Sequence, residues 1–480
     1  MLLVIAMKVN TLLRKARLPQ GRINHDVYKL TLDSRLCIEN SVFVAIDGNH
    51  KNAELFIEDA IAHGAKTIIT AHSKLEHKGI NYIYVTNVRK CLAKLAKIYY
   101  RNVSKKLNII GVIGTNGKTT TSSIGYHFFN SINKTSMLIG SNGVFYPGYE
   151  ARIDNTTPDI LTIYQYLSLA RKKHIHTIFM EISSISIDQY RVYGIHFHTL
   201  IFTNFTQDHL DYHKTLENYL YCKTIPFIKL PSYTYAIMNS DDEAFADIEK
   251  FCDARLISYG YQSPAMVLGT LNTLSEQGIS FYAKNILFKT KLIGEFNIYN
   301  MLAIVALCDV FHISAERFKD FLRDFEPISG RMNHICIHDK HILIDYAHTF
   351  FATKSVIEEA MKLCKGNLFI VMGCGGNREK EKRFMIGSYL NEVNARIILT
   401  QDNPRFEDPK DIIRDMTANL VNKYEIILDR KQAILTALKD MKEKDYLLLL
   451  GKGCENYMDI RGVKYPYSDL EVIHDWIRTN

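Results

Sequence analysis

One glycine-rich stretch has the residue types and the spacing of a phosphate-binding loop. The apolar run Ile109–Ile113 predicts a buried strand, the turn Gly114–Gly117 follows it, and Lys118 opens a predicted helix. Unpaired backbone N–H groups and the positive end of the helix dipole then converge on one point, which favours an anion. The lysine would reach the outer phosphates of a nucleotide, and the Thr119 hydroxyl is a suitable Mg2+ ligand. Because Val112 stands where the strict nucleotide-loop pattern has glycine, an ordinary strand-to-helix turn is the alternative.

Acidic and imidazole side chains follow two further predicted strands. His176–Met180 leads into Glu181, and Thr199–Thr203 leads into a polar segment. The carboxyl ends of neighbouring parallel strands meet at one edge of a sheet, so these groups should gather beside the glycine-rich loop. Carboxylates with one imidazole suit Mg2+ or Mn2+ better than zinc, which favours an ATP–Mg2+ site with a second metal. The alternative is that the polar segment only caps a helix; its members are Asn204, Asp208, His209, Asp211 and His213.

The length of the chain and its alternation of apolar runs with helical patterns predict three α/β domains. A chain of 480 residues is too long for a single core, and 47% hydrophobic with 23% charged residues is typical of a globular protein. We predict a small α/β domain over residues 1–106, a central parallel-sheet domain over 107–329 and a doubly wound parallel sheet over 330–480.

Two short motifs have both a functional and a plain interpretation. Leu32-Asp-Ser-Arg35 puts an arginine suited to anions beside small polar residues, or is simply a surface turn with a salt bridge. Asn297 and Asn300 precede a predicted apolar helix, Met301–Val310, where they would act as caps or offer paired amides to the edge of a base.

Charge, cysteine usage and hydropathy limit the partners and the compartment. A net charge of +8 with scattered lysines fits a phosphorylated small molecule as well as nucleic acid. Nine dispersed cysteines without a Cys-x-x-Cys pair favour reduced thiols in the cytoplasm and argue against zinc. The apolar run Met1–Met7 is cut short by Lys8, which argues against a signal peptide, and no run reaches the length of a membrane span.

Taken together, motifs spread over nearly the whole chain resemble those of the Mur ligase family. Each motif alone is weak, but this combination in this order is hard to obtain by chance. The glycine-rich turn is similar to the family's own variant of the nucleotide loop, which accounts for Val112. The motifs are Gly114-Thr-Asn-Gly-Lys-Thr-Thr120, Asn155-Thr-Thr-Pro158, Met180-Glu-Ile-Ser-Ser184, Arg191-Val-x-Gly194, Thr203-Asn-Phe-Thr-x-Asp-His-Leu-Asp-Tyr-His213, Tyr219-x3-Lys223, Phe296-Asn-x-x-Asn300, Gly330-Arg331, Asp345-Tyr-Ala-His-Thr349, Asp402-Asn-Pro-Arg405 and Gly451-Lys-Gly-x-Glu455.

The resemblance implies an ATP-dependent ligase of peptidoglycan precursor synthesis. It implies a uridine-nucleotide domain, a central ATPase-like domain and a C-terminal Rossmann-like domain. ATP would phosphorylate the carboxylate of UDP-N-acetylmuramoyl-L-Ala-D-Glu, and the amine of a third amino acid would attack the acyl phosphate. The expected cofactors are ATP and Mg2+ at two sites. The expected partners are that dipeptide substrate and a diamino acid, with no nucleic acid and no membrane insertion, and we expect a monomer in the cytoplasm.

The same resemblance implies the residues of each site, position by position. The catalytic residues would be Lys118, Glu181, His209 and Lys223, and the metal ligands Thr119, Glu181, His209 and Lys223 as a carbamate. The nucleotide would be held by Gly114, Thr115, Asn116, Gly117, Lys118, Thr119, Thr120, Asn297, Asn300, Arg331 and Asp345. The UDP-linked substrate would contact Leu32, Ser34, Asn155, Thr156, Thr157, Ser183, Gln189 and Arg191. The incoming amino acid would contact Arg378, Asp402, Asn403, Pro404, Arg405, Gly451 and Glu455.

The choice of amino acid depends on the segment Asp402–Arg405. This form of the motif resembles that of the family members that use meso-diaminopimelate, which carries an extra carboxylate and ammonium at its far end. Arg378 and Arg405 would bind that carboxylate, and Asp402 or Glu455 would accept the ammonium. The plain alternative is a turn before a helix that starts at Asp408-Pro409, with L-lysine as the other candidate substrate.

Some positions depart from the family's motifs. Ile185 and Cys454 each replace a histidine, Phe350-Phe351 replaces Pro-Asp, and Asn49-His-Lys-Asn52 replaces a glycine-aspartate pair near the uridine site. These departures motivate a non-catalytic nucleotide-binding relative as one alternative. A ligase that extends another acid, as folylpolyglutamate synthases do, is a second alternative, against which the complete first domain argues.

Overall fold

The computed structural model describes residues 7–48, 52–72 and 76–479. Most of the N-terminal apolar run and the substituted positions Asn49, His50 and Lys51 lie outside the described residues. Within them, three main sheets follow one another along the chain, one in each predicted domain, and the α/β fold class is confirmed. The domain boundaries themselves stay a prediction. None of the helices in these ranges is long and apolar enough to span a membrane.

The first region is a four-stranded parallel sheet in the order β3-β4-β5-β6, with helices packed on it. Gly64, with φ of 101°, follows the second helix, where a left-handed glycine commonly ends a helix. In the Leu32–Arg35 motif the exposed Arg35 pairs with Asp33 at 2.7 Å, which is the salt bridge of the plain interpretation, whereas Ser34 is buried. The elements are β1 Met7–Lys8, α1 Val9–Lys15, β2 Asp26–Val27, β3 Lys29–Thr31, β4 Ser41–Val44, α2 Ile57–Ala62, β5 Ala65–Thr70, β6 Asn81–Tyr84 and α3 Val88–Tyr99.

The middle region is built on an eleven-stranded sheet between residues 108 and 290, in the order β10-β9-β8-β11-β7-β12-β13-β14-β15-β16-β17. Its strands and helices are β7 Asn108–Ile113, α4 Lys118–Ser131, β8 Ser136–Gly140, β9 Gly143–Tyr146, β10 Tyr149–Ala151, α5 Ile160–Lys172, β11 Thr177–Ile182, α6 Ser184–Asp188, β12 Thr199–Phe202, α7 Leu210–His213, α8 Leu216–Ile228, β13 Tyr235–Asn239, α9 Phe245–Glu249, β14 Arg255–Gly260, β15 Val267–Ser275, β16 Gly278–Ala283, β17 Ile286–Thr290, α10 Phe296–Val310 and α11 Ala315–Asp324.

Strand β7 lies at the centre of the parallel part, between β11 and β12. Val112 pairs with Glu181 on one side and with Ile201 on the other, so the three strands end together. All residues of β7 after the first are buried, as expected of a central strand covered on both faces. The sheet is not parallel throughout, in contrast to the prediction: β9–β10 and β15–β17 pair antiparallel at its edges.

The third region has a six-stranded sheet in the order β18-β19-β23-β20-β21-β22, parallel except at the β18 edge. The doubly wound arrangement predicted for this region is therefore present. Its elements are β18 Asn333–Ile337, β19 Lys340–Asp345, α12 Phe350–Leu363, β20 Leu368–Met372, α13 Glu381–Tyr389, β21 Arg396–Leu399, α14 Pro409–Thr417, β22 Tyr424–Ile426, α15 Arg430–Asp440, β23 Tyr446–Leu450, β24 Tyr457–Ile460, β25 Val463–Pro466 and α16 Asp469–Thr479.

Candidate active site

The glycine-rich loop between β7 and α4 has no room for a side chain at either of two glycines. Gly117 has φ of 82°, and a Cβ there would lie 2.5 Å from Oδ1 of Asn300. A Cβ on Gly114 would lie 1.8 Å from Oγ1 of Thr203. The loop therefore presents bare backbone at both positions before a helix N-terminus, which is the form that an anion cradle requires.

The segment after β12 anchors this loop, as the adjacency of β7 and β12 predicts. The backbone N–H of Thr115 donates to the carbonyl of Asn204 at 2.8 Å, and that of Asn116 donates to Oδ1 of Asn204 at 2.9 Å. The Thr203 hydroxyl donates to the carbonyl of Asn116 at 2.6 Å. Thr120 is buried in the first turn of α4. These bonds fix the loop against the next strand of the sheet.

Lys118 begins α4 and turns its amine back toward the loop. Its Nζ donates to the carbonyls of Gly114 at 2.9 Å and Thr115 at 2.8 Å. Burial lowers the pKa of this lysine, while the nearby carboxylates of Glu181 and Asp208 favour its charged form. A cation thus stands at the mouth of the loop.

Glu181 lies near the end of β11, and hydrogen bonds from both sides of the loop converge on its carboxylate. The Thr119 hydroxyl donates to Oε2 at 2.8 Å, and the backbone N–H of Ser141 donates to Oε1 at 2.9 Å. From the third region, Nη2 of Arg331 donates to the Thr119 hydroxyl at 3.3 Å. Sequence reasoning missed Ser141; the available signal was its position directly after β8, the strand beside β11.

Asp208 and His209 lie at the end of the β12 loop, directly before α7. Oδ1 of Asp208 accepts from the backbone N–H of His209 at 2.8 Å, and Oδ2 lies 3.4 Å from Nε2 of the ring. Burial lowers the pKa of His209, and Asp208 opposes that shift. A neutral imidazole beside a carboxylate is a donor set suited to a divalent cation. The side chain of His209 makes no cap hydrogen bond to α7, so helix capping does not explain it.

Lys223 is a buried amine on α8, with 1% of its surface exposed. Burial and, second, the charge of Lys118 depress its pKa far below the ordinary lysine value. Its Nζ lies 4.6 Å from the ring centre of Tyr219, whose hydroxyl is 3.2 Å from that of Thr115. Among the residues that the structure describes, Nζ has neither a hydrogen bond nor an ion pair. Burial favours the neutral form of this amine, and a neutral lysine amine is the form that reacts with carbon dioxide.

The asparagines at the start of α10 differ from their predicted setting. The helix begins at Phe296 and not at Met301, so Asn297 and Asn300 lie inside it and are not caps. Both are buried, and they bond to each other, Nδ2 of Asn300 donating to Oδ1 of Asn297 at 2.9 Å. Oδ1 of Asn300 also accepts from the Thr121 hydroxyl at 3.0 Å. These internal bonds offset the cost of polar groups in a buried helix and tie α10 to α4.

Asp345, at the end of β19, is buried and bonded to backbone. Its carboxylate accepts from the N–H groups of Met332 at 2.8 Å and Ala347 at 2.7 Å. Burial raises the pKa of Asp345, and the positive charge of Arg331 opposes this. The hydrogen bond from Arg331 to Thr119 brings this part of the third region to the glycine-rich loop.

A cleft of about 410 Å³ separates the first and middle regions. Four residues predicted to contact the UDP-linked substrate line it: Leu32, Asn155, Gln189 and Arg191. Arg191 donates to Oε1 of Gln189 at 2.7 Å. Ser34 is buried and does not line the cleft. Two arginines that sequence reasoning missed, Arg89 and Arg152, add positive charge to the walls.

The remaining predicted substrate residues connect this cleft to Glu181. The Thr157 hydroxyl donates to the Glu181 carbonyl at 2.8 Å and accepts from the N–H of Ser183 at 3.0 Å. The Thr156 hydroxyl lies 3.0 Å from that of Ser141. A continuous polar path therefore runs from the cleft to the glycine-rich loop.

In the third region, a buried lysine that sequence reasoning missed organises the predicted amino-acid site. Nζ of Lys452 donates to Oε2 of Glu455 at 2.7 Å and to Oδ1 of Asn403 at 3.0 Å, and it lies 3.9 Å from Asp402. Gly451 has φ of 102°, and a Cβ there would lie 2.4 Å from Oδ2 of Asp402. Both carboxylates expected to accept an ammonium group thus already face a lysine.

The two arginines expected to bind the distal carboxylate occupy one loop cluster. Arg405 follows Pro404, has φ of 52°, and donates through Nη1 to the Gly376 carbonyl at 2.6 Å. Arg378 is exposed on the loop after β20, and its charge contributes to the lowered pKa of His209. Asp408 caps α14, as the plain interpretation of this segment predicts.

Ile185, Cys454 and Phe350-Phe351 all lie within the described residues, Ile185 in the short helix α6. Sγ of Cys454 donates to Oδ1 of Asn142 at 3.7 Å, across the boundary between the middle and third regions. Phe350 begins α12, and its ring packs edge-on against Tyr389 with centres 6.2 Å apart. None of these substitutions changes Lys118, Glu181, His209 or Lys223.

Comparison with known proteins agrees with the motifs. The models of the Mur ligase middle domain and of the Mur ligase glutamate ligase domain match residues 112–308 and 330–453. A protein of Phocaeicola vulgatus named UDP-N-acetylmuramoyl-L-alanyl-D-glutamate–2,6-diaminopimelate ligase is 34% identical over 463 residues, covering 95% of this chain and 96% of that relative. The protein of the same name from Aquifex aeolicus is 35% identical over 452 residues, with coverage of 93% and 92%.

A solved structure of a ligase with that name superimposes with a TM-score of 0.70 at 27% identity, over 98% of this chain and 99% of the other. The resemblance seen in the motifs is therefore confirmed over nearly the full length. The chain belongs to the Mur ligase family of ATP-dependent amide-bond ligases.

Proposed function

We propose that this ligase adds meso-diaminopimelate to UDP-N-acetylmuramoyl-L-Ala-D-Glu, at the expense of ATP, in the synthesis of peptidoglycan precursors. The observation that carries the proposal is the cluster at the edge of the middle sheet, where Thr119 and Glu181 meet the Arg331 guanidinium beside Lys118. Relatives at 34% and 35% identity that bear the corresponding name support the choice of substrate.

The residues present fit a nucleotide with Mg2+. The bare backbone at Gly117 suits a phosphate, and the Thr119 hydroxyl with the Glu181 carboxylate is a hard-oxygen set suited to Mg2+. His209 and Lys223, as a carbamate, would hold a second ion, since a carbamate is a carboxylate-like ligand. Bound Mg2+ supplies charge neutralisation at the transferred phosphoryl group.

The chain's own cations address the main physical obstacle, which is the repulsion between two acids. The substrate carboxylate must approach the γ-phosphate, and both are negatively charged. Lys118 and Arg331 reduce that repulsion and stabilise charge on the phosphoryl oxygens. A carboxylate oxygen attacks phosphorus, ADP leaves and an acyl phosphate forms. The free amine of the amino acid then attacks the acyl carbon, inorganic phosphate leaves, and the amine loses a proton as the amide forms.

The third region would select the amino acid. Arg405 and Arg378 are suited to the distal carboxylate of diaminopimelate, because guanidinium groups bind carboxylates in a two-point geometry. The buried Lys452 keeps Glu455 and Asn403 in fixed positions. Because Lys452 already bonds to Oε2 of Glu455, the distal ammonium would be accepted by the carboxylate oxygen atoms of Asp402 and Glu455 that Lys452 does not bind.

The proposed reaction also implies a location and a state. ATP and nucleotide-linked precursors are cytoplasmic metabolites, so we infer a cytoplasmic enzyme. All nine cysteines are free thiols, which is compatible with a reducing compartment. The site uses residues of one chain, and we infer that a monomer is active.

Phosphate release tests the proposal. The purified protein would be supplied with ATP, Mg2+, UDP-N-acetylmuramoyl-L-Ala-D-Glu and a panel of amino acids. We expect release that depends on the UDP-linked dipeptide and on meso-diaminopimelate, and its loss in Lys118→Ala. Turnover with L-lysine alone would overturn the choice of amino acid. ATP binding without turnover would favour a non-catalytic relative.

A further inference from the structure

One side-chain contact joins the loop after β12 to the loop after β20, across the boundary between the middle and third regions. Nε2 of Gln207 donates to Oε1 of Glu379 at 2.7 Å and to Oε2 of Glu381 at 3.3 Å. The bonded residues are 172 and 174 positions apart in the chain. The neutral amide has two N–H groups, so it serves one carboxylate with each.

Each end of this contact adjoins a group of the proposed reaction. Gln207 directly precedes Asp208 and His209, and Glu379 directly follows Arg378. The Gln207 amide therefore holds the loop that carries Arg378 beside the Asp208–His209 segment.

The residue type at position 207 matters because both of its partners are acidic. Two carboxylates two residues apart repel each other, and a donor between them reduces the repulsion. A carboxylate at position 207 would instead add a third negative charge, next to Asp208. An arginine at this position has several N–H donors and could bond to both Glu379 and Glu381, as the amide does.

We propose that Gln207 is a positioning residue for the amide-forming half of the reaction, acting through Glu379 and Glu381 to hold Arg378 where the incoming amino acid must bind. This inference rests on the proposed function. Loss of Gln207 should impair amide formation and not phosphorylation, since phosphorylation of the UDP-linked substrate needs neither Arg378 nor the amino acid. Gln207 itself touches no reacting atom.

Four variants test the role: Gln207→Ala, Gln207→Glu, Gln207→Arg and, as a matched control on the exposed part of the same loop, Lys380→Ala. We expect KM for meso-diaminopimelate to rise roughly five-fold or more in Gln207→Ala and further in Gln207→Glu, with KM for ATP within about two-fold of wild type. Gln207→Arg should restore the amino-acid KM to within about three-fold. Lys380→Ala, the control, should have the same KM values for meso-diaminopimelate and ATP as wild type.

A second measurement isolates the first half-reaction. Hydroxylamine, a small nucleophile with no carboxylate, traps the acyl phosphate as a hydroxamate when no amino acid is present. We expect equal hydroxamate rates in wild type and all four variants. Equal amino-acid KM values in all variants, or a parallel loss of hydroxamate formation, would overturn the positioning role. Failure of the proposed function is distinct, because wild type would then release no phosphate with meso-diaminopimelate.

Discussion

The Thr119 hydroxyl donates to the Glu181 carboxylate at 2.8 Å, which joins the first turn of α4 to the end of β11. The sheet register explains this contact, because Glu181 pairs with Val112, the residue before the last of β7. Because β7 and β11 are neighbouring parallel strands, the start of α4, which follows β7, lies beside the end of β11. The fold thereby holds together the two oxygen atoms that we propose as Mg2+ ligands, which lowers the cost of ordering them.

We expect Glu181→Gln to reduce kcat by about 100-fold or more, because an amide keeps the size of the side chain but removes the negative charge at the proposed Mg2+ site. Folding should be retained, since the amide oxygen can still accept from Ser141. Steady-state phosphate release with a melting curve checks both points. Glu150→Gln, the same change at an exposed position on β10, is the matched control. Unchanged kcat in Glu181→Gln would contradict the metal assignment.

Gly117→Ala should abolish nucleotide-dependent turnover. The same change at Gly79 distinguishes a steric clash from the cost of a left-handed backbone. Gly79 has φ of 83°, close to the 82° of Gly117, but a Cβ at Gly79 would meet nothing within 4 Å. Both alanine variants carry the same left-handed backbone cost of about 1 kcal/mol. Only Gly117→Ala adds a clash, with Asn300 at 2.5 Å. ATP binding by calorimetry should be lost in Gly117→Ala and normal in Gly79→Ala; equal binding in both would mean that the clash is relieved without harm to the loop.

Much of the site could be predicted because its residues follow apolar strands. The runs that became β7, β11 and β12 are continuous and buried, so their order placed Lys118, Glu181 and His209 at one edge. The antiparallel strands β15–β17 were missed, since β15 alternates buried and exposed residues at its start, and the short strands β16 and β17 are interrupted by Ser280 and Lys289.

Other residues could not be predicted because their environment is formed by distant parts of the chain. Lys452 is expected to be exposed on sequence grounds, yet Glu455, Asn403 and the Tyr457 carbonyl surround its amine. Ser141 belongs to no motif, and only the β8–β11 pairing brings it to Glu181. The start of α10 was placed too late because Asn297 and Asn300 resemble caps, whereas their bond to each other lets both lie within the helix.

The stability of the protein should depend on Lys223 in a pH-dependent way. The pKa of Lys223 is depressed in the folded state, so the unfolded chain binds this proton more readily. The folded state is therefore destabilised most at pH values below the folded pKa. This destabilisation vanishes at pH values above the unfolded pKa of about 10.4. In CO2-free buffer, Lys223→Met should therefore melt above wild type at neutral pH, with a difference that narrows as pH rises. Thermal scans across the pH range measure this difference.

Two further measurements make the Lys223 prediction specific. Lys229→Met removes an exposed amine at the end of the same helix and controls for the loss of one charge. Bicarbonate should restore activity to CO2-depleted wild type but not to Lys223→Ala. A melting difference that does not vary with pH, or full activity in Lys223→Ala, would be inconsistent with a buried neutral amine that becomes a carbamate.

Arg405→Lys tests the choice of amino acid, because lysine keeps the charge and loses the two-point geometry. Nη1 of Arg405 bonds to the Gly376 carbonyl and Nε lies 3.8 Å from Oδ2 of Asp459, so Nη2 is the guanidinium nitrogen with neither of these contacts. We expect KM for meso-diaminopimelate to rise about ten-fold or more, with KM for ATP unchanged. Discrimination against L-lysine should fall as well, because L-lysine has no distal carboxylate to lose. Arg414→Lys, at an exposed position on α14, controls for the exchange itself. If Arg405→Lys raised KM for both amino acids equally, the arginine would be supporting the loop and not reading the distal carboxylate.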